Sequence, residues 1–153
     1  MLNQLQSLTD LVGGNNALID QWLQARKQLL IAYYHLVGIK PNKEKLSPLD
    51  EKALDEFCHN LVDYLSIGHF HVYERILPEA AVFGEQKKAF FNQLDEALKS
   101  NTEQIMASYD GHLAAAIDDE NCIEFQQALS RVGETLAERF ALEDNVIRLI
   151  FDN

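Results

Sequence analysis

Leu61-Val62-Asp63-Tyr64-Leu65-Ser66-Ile67-Gly68-His69-Phe70-His71-Val72-Tyr73-Glu74-Arg75-Ile76-Leu77 is the stretch on which the reading of this chain turns. It is apolar enough to lie against a core, yet it carries Asp63, two histidines and three aromatic rings around Gly68. Upstream of it, Leu54, Phe57, Cys58, Leu61, Val62 and Leu65 recur at helical spacing. Gly68 can end that helix in a left-handed cap or permit a bend, and Pro78 stops whatever follows. Asp63 and Phe70 therefore fall on either side of a break. Two fates are open to Phe70: an exposed ring beside Asp63, or an ordinary core residue at a helix corner, the commoner outcome for apolar residues at helical spacing.

Working outward, the same periodicity covers most of the chain. Leu2, Leu5, Leu8, Leu11 and Val12 give a short amphipathic helix over residues 1–12, and Gly13-Gly14-Asn15-Asn16 breaks it. A long helix follows from Ala17 to Val37, with an apolar stripe of Ile19, Trp22, Leu23, Leu29, Leu30, Tyr33, Leu36 and Val37, closed by Gly38 and Pro41. Ser47 as N-cap and Pro48 at the first helical position open the next, which runs to about Ser66. Phe90, Phe91, Leu94 and Leu98 mark a helix over 85–100, and Asn101 or Thr102 is placed to cap another carrying Ile105, Met106 and Tyr109. Phe125, Leu129, Val132, Leu136, Phe140, Ile147 and Ile150 make a last stripe, which Glu143 interrupts. No window alternates as a strand would. The expected fold is all-α: residues 1–153 as one domain, an up-and-down bundle of long antiparallel helices.

Composition narrows the partners. Of 153 residues, 47% are hydrophobic, enough for a full core, and 24 acids against 13 bases leave a net charge of -11. Such a surface repels nucleic acid and anionic membranes and suits a basic protein. The N-terminus lacks the basic and continuous apolar regions of a secretory signal, and no apolar run approaches a membrane span. Cys58 and Cys122 are the sole cysteines, as expected of thiols in a reducing cytoplasm.

The chemistry of catalysis is sparse. Glu56-Phe57-Cys58-His59 supplies one Glu-x-x-His pair, but no other histidine has a glutamate three residues before it, so a di-metal bundle is not completed. A metal-dependent bundle enzyme using Glu56, His59 and His69 is the alternative in another class. Phosphate loops and nucleophile elbows are absent. No cofactor, metal site or catalytic residue is expected. The acids are more informative: Asp50, Glu51, Asp55, Glu56 and Asp63 crowd one helix, and 100–130 contains acids without a single Lys or Arg. An acidic adaptor for some basic protein fits these features alone.

The blocks Trp22-Leu23, Arg26 to Tyr34, Leu36 to Pro41, Leu61 to Leu65, Gly68-His69-Phe70, Tyr73 to Leu77, Glu124 to Gln127, Glu138-Arg139-Phe140 and Leu142-Glu143-Asp144 resemble the Rsd/AlgQ family of bacterial anti-sigma factors, the Rsd branch most closely. The resemblance implies a non-enzymatic helical bundle in the cytoplasm that binds region 4 of the primary sigma factor. It would block region 4's contacts with core polymerase and the −35 promoter element and so favour alternative sigma factors in stationary phase. Asp63 and Phe70 match the family's sigma-contacting positions; Trp22, Tyr64 and Tyr73 are further partner-binding candidates. Enteric members are also associated with the phosphocarrier HPr, which leaves a second partner open.

Overall fold

The computed structural model describes residues 17–38, 48–68, 84–110 and 122–151. Among them are four helices: α1 (Ala17–Val37), α2 (Pro48–Ile67), α3 (Glu85–Ser108) and α4 (Cys122–Phe151). The described residues contain no strand, and the fold is an all-α bundle. The expected helix over 1–12, the Ser47 cap and the segment from His69 to Phe83 lie outside the described residues.

Each helix buries one stripe. Trp22, Leu29, Leu30 and Tyr33 of α1 meet Phe57, Leu61 and Tyr64 of α2, while Leu94, Leu98 and Ile105 of α3 and Val132, Leu136 and Ile147 of α4 complete one core. A side chain such as Phe57, fully buried, stabilises the bundle by about 1.5–3 kcal/mol relative to leaving it in water. α1 packs along α2, and α3 along α4. Trp22 meets Tyr64 and Tyr33 meets Phe57, so the numbering runs oppositely and α1 and α2 are antiparallel. Arg26 meets Glu143 and Tyr33 reaches the Leu129 carbonyl, which makes α4 antiparallel to α1 as well.

One close approach depends on a missing side chain. A Cβ at Gly133 of α4 would collide with the Tyr33 Oη, so only glycine lets that ring sit against the α4 backbone. There the Tyr33 hydroxyl donates to the Leu129 carbonyl at 3.3 Å.

Three expectations are corrected. First, α3 does not stop near Ser100; it runs unbroken to Ser108. Asn101 is buried rather than capping, and its Nδ2 donates to the Thr135 carbonyl of α4 at 2.8 Å. Thr102 turns its hydroxyl back to the Leu98 carbonyl at 3.0 Å, the bond that lets a threonine sit inside a helix. Second, of the two roles open to Gly68 the left-handed cap is not taken; it sits over α4, where an added Cβ would be in ordinary contact with Arg139 at 3.5 Å. Third, Val37, Val62 and Phe90, read as core, are 48%, 42% and 44% exposed. They lie at the ends or edges of their stripes.

Candidate functional site

Two features could serve function: a buried polar cluster and the outward face of α2. The cluster is built where Glu143 breaks the apolar stripe of α4. Glu143 is buried, 1% exposed, and α4 continues through it because every oxygen has a donor. The Tyr64 hydroxyl of α2 donates to Oε1. Arg26 of α1 donates to the same oxygen at 3.3 Å, and Arg139, one turn earlier on α4, donates to Oε2 at 3.1 Å. Arg26 also donates to Asp144 Oδ1 at 2.5 Å. Two guanidinium groups thus face two carboxylates, and the interior set is neutral.

Tyr64 uses its hydroxyl fully. Besides donating to Glu143, it accepts from Trp22 Nε1 at 3.0 Å and Arg26 Nε at 3.1 Å. The Arg26 guanidinium lies 4.9 Å from the Phe140 ring centroid and 5.8 Å from that of Trp22, a cation–π arrangement in a buried site. Burial alone would push the Arg26 guanidinium down, but Tyr64, Glu143 and Asp144 more than offset it and hold Arg26 above its ordinary value. Burial pushes the Tyr64 phenol well up; Arg26 opposes this and Glu143 adds to it. Arg139 carries the cluster on to α3, donating to Thr102 Oγ1 at 2.8 Å and Asn101 Oδ1 at 3.4 Å. All four described helices are therefore joined by one set of hydrogen bonds. Its chemistry is structural, because every member is partnered within the bundle and only Asp144 and Thr102 are partly exposed.

This geometry revises two of the partner-binding candidates. Trp22 and Tyr64 are 2% and 0% exposed, with their polar tips spent inside the cluster. They orient α2 against α1 and α4 and present no side-chain surface to a partner. Phe70 and Tyr73 lie outside the described residues, as do His69 and His71.

Asp63 is placed differently. It neighbours Tyr64 in sequence but, about 100° further around the helix, it is exposed, with 59% of its side chain open to solvent. It lies on a continuous outer face of α2 made by Lys52, Asp55, Glu56, His59, Val62, Asp63 and Ser66, all exposed. Three acids outnumber one lysine there. His59 Nε2 is 3.2 Å from Asp63 Oδ2, an ion pair when the imidazole is protonated, and Lys52 approaches Glu56 at 4.0 Å. Exposed pairs of this kind contribute about 0–1 kcal/mol, so the face remains open to a competitor. Val62, 42% exposed, adds an apolar contact beside Asp63.

The pair Glu56 and His59 does not form a metal centre with the rest of this face. Among the described residues no group of three or more His, Cys, Asp or Glu could hold a metal ion. Cys58 is half-buried, and burial, then Asp55, pushes its thiol up to about 11, so it is a poor nucleophile. No described helix is long and apolar enough to cross a membrane.

Sequence reasoning missed Arg26, Arg139 and Glu143 as a unit. The available signal was their register: Arg26 falls one turn after Trp22 on the buried stripe, and Arg139 and Glu143 are four apart on the stripe of α4.

Comparison with known proteins agrees with this picture. Residues 1–151 match the family described as "Regulator of RNA polymerase sigma(70) subunit, Rsd/AlgQ". The chain is 76% identical over 153 residues to the "Regulator of sigma D" of Pectobacterium carotovorum subsp. carotovorum, covering all of both chains. It is 62% identical over 148 residues to that of Sodalis glossinidius, covering 97% of each. It is 57% identical over 152 residues to that of Salmonella arizonae, covering 99% of this chain and 93% of the relative. These names describe a regulator of transcription rather than an enzyme. The chain belongs to the Rsd/AlgQ family of regulators of the RNA polymerase sigma(70) subunit.

Proposed function

We propose that this protein is an anti-sigma factor whose α2 outer face binds region 4 of the primary sigma factor. Asp63 accepts hydrogen bonds from a region 4 arginine, and Phe70 fills an apolar depression beside it. Occupancy blocks the contacts of region 4 with core polymerase and the −35 element. In the cytoplasm this frees core enzyme for alternative sigma factors in stationary phase. The observation that carries the reading is Asp63 itself: an exposed carboxylate on an acid-rich helix face, in a chain whose family regulates sigma(70). A basic DNA-reading surface is the natural complement of such a face, since an arginine that would meet a phosphate can meet a carboxylate instead.

The test is calorimetric titration with full-length primary sigma factor and with the same factor lacking region 4. Saturable one-to-one binding to the first and none to the second is expected. Equal binding to both would refute the region 4 assignment. Electrostatic steering also predicts an association rate that falls steeply as salt rises toward about 0.15 M, where the Debye length is about 8 Å, with little change in dissociation. The same titration with HPr tests the second partner that the resemblance implies.

A further inference from the structure

Three of the five exposed large apolar residues among the described helices fall on α1. Ile31 and Tyr34, 51% and 43% exposed, lie on the outward side of α1, and Val37, 48% exposed, flanks Tyr34 at the helix end. With Lys27, also exposed, Ile31 and Tyr34 fall at i, i+4 and i+7, one straight stripe on the helix. The Tyr34 ring meets Tyr33 edge-on at a centroid distance of 5.8 Å. An exposed aromatic ring offers a large apolar area, as is usual of interface anchors.

The charge along this part of α1 differs from that of the molecule. From Gln21 to Val37 the helix has no Asp or Glu, only Arg26 and Lys27, and its one acid, Asp20, lies in the first turn, in a chain of net charge -11. Arg26 is consumed in the interior. Lys27 makes no ion pair with any described residue. A basic partner suited to α2 would be repelled here. A second copy laid α1 against α1 would offer Lys27 a single carboxylate, the half-buried Asp20 of the first turn.

We propose that the Lys27–Ile31–Tyr34 stripe of α1 is a second docking surface, separate from the acidic face of α2, and that it takes an amphipathic helix whose apolar stripe is flanked by Asp and Glu. Ile31 and Tyr34 contact the apolar stripe, and Lys27 meets a flanking carboxylate. Recognition of this kind lays one helix along another through anchors at i, i+4 and i+7. The protein would then hold a basic partner on one helix and an acidic one on its neighbour.

The test uses the full chain and a fluorescent, stapled helical peptide of roughly 20 residues, with leucines at helical spacing flanked by glutamates. A control peptide carries lysines in place of the glutamates. Anisotropy titrations should show the acidic peptide binding wild type more tightly than the control. Lys27→Glu and Tyr34→Glu should each weaken it by about tenfold or more, and Asp63→Asn should leave it unchanged. Lys27 is exposed and outside the core, so that variant keeps the test valid if Tyr34→Glu folds poorly. Three results would overturn the proposal: no binding of the acidic peptide, equal binding of the control, or acidic-peptide binding that Lys27→Glu does not weaken. Sedimentation showing a dimer that Lys27→Glu or Tyr34→Glu dissolves would also overturn it, assigning the stripe to a second copy of the chain.

Discussion

The Tyr64 hydroxyl donates to the Glu143 carboxylate at the centre of the bundle, tying α2 to α4 across 79 residues of sequence. Trp22 and Arg26 reach the same hydroxyl from α1. Removing that one oxygen by Tyr64→Phe leaves the buried Trp22 N–H without its acceptor. An unsatisfied buried donor costs about 1–3 kcal/mol, so urea denaturation should show a loss of that size.

The same residue sets an alkaline limit. Its folded-state pKa is raised above the ordinary 10.0 by burial, against Arg26 and with Glu143. The neutral phenol is thus favoured in the folded protein. Its contribution is fully present below pH 10 and is lost as pH rises beyond it, because only the unfolded chain readily gives up the proton. Stability should fall between about pH 10 and 11 by up to about 1.4 kcal/mol per pH unit more in wild type than in Tyr64→Phe. Parallel slopes in the two proteins would remove Tyr64 as the cause.

Glu143→Gln keeps the shape of the side chain and removes its charge. Arg26 retains Asp144, and Arg139 retains Asn101 and Thr102, but two buried cations then face one carboxylate. Breaking a buried ion pair from one side costs about 3–5 kcal/mol. Thermal unfolding should place Glu143→Gln well below Asp63→Asn, whose carboxylate is exposed and whose loss should leave stability nearly intact.

Gly133→Ala should cost about 1–3 kcal/mol by driving a methyl group into the Tyr33 ring. In a Tyr33→Leu background the ring is gone and the same alanine should cost much less. A double-mutant cycle measures the coupling, and simple additivity would contradict the close approach.

Much of the bundle was legible in the chain. α1 was readable from Ala17 to Val37 because Trp22, Leu29, Leu30, Tyr33 and Leu36 repeat at the helical period and Gly38 ends the run. The exposure of Asp63 was readable for the same reason, since it falls off the stripe of Leu61, Tyr64 and Leu65. Glu143 was not. A lone carboxylate on an apolar stripe looks like an interruption until Tyr64, Arg26 and Arg139 surround it, and no local pattern reports a partner so far along the chain. Asn101 misled for a related reason: asparagine favours helix caps, and its true partner, the Thr135 carbonyl, lies on another helix. Trp22 and Tyr64 became partner-binding candidates through the resemblance alone, and their polar tips serve the interior here.

The most direct test is the dissociation constant of an isolated sigma region 4 fragment for wild type, Asp63→Asn and Phe70→Ala, with a melting curve for each protein. If the outer face of α2 is the docking surface, Asp63→Asn should weaken binding by about 2 kcal/mol or more with its melting temperature nearly unchanged. Phe70→Ala should follow the same pattern if its ring is an anchor. Wild-type affinity in a fully folded Asp63→Asn would contradict the account and move the sigma-binding surface elsewhere on the bundle.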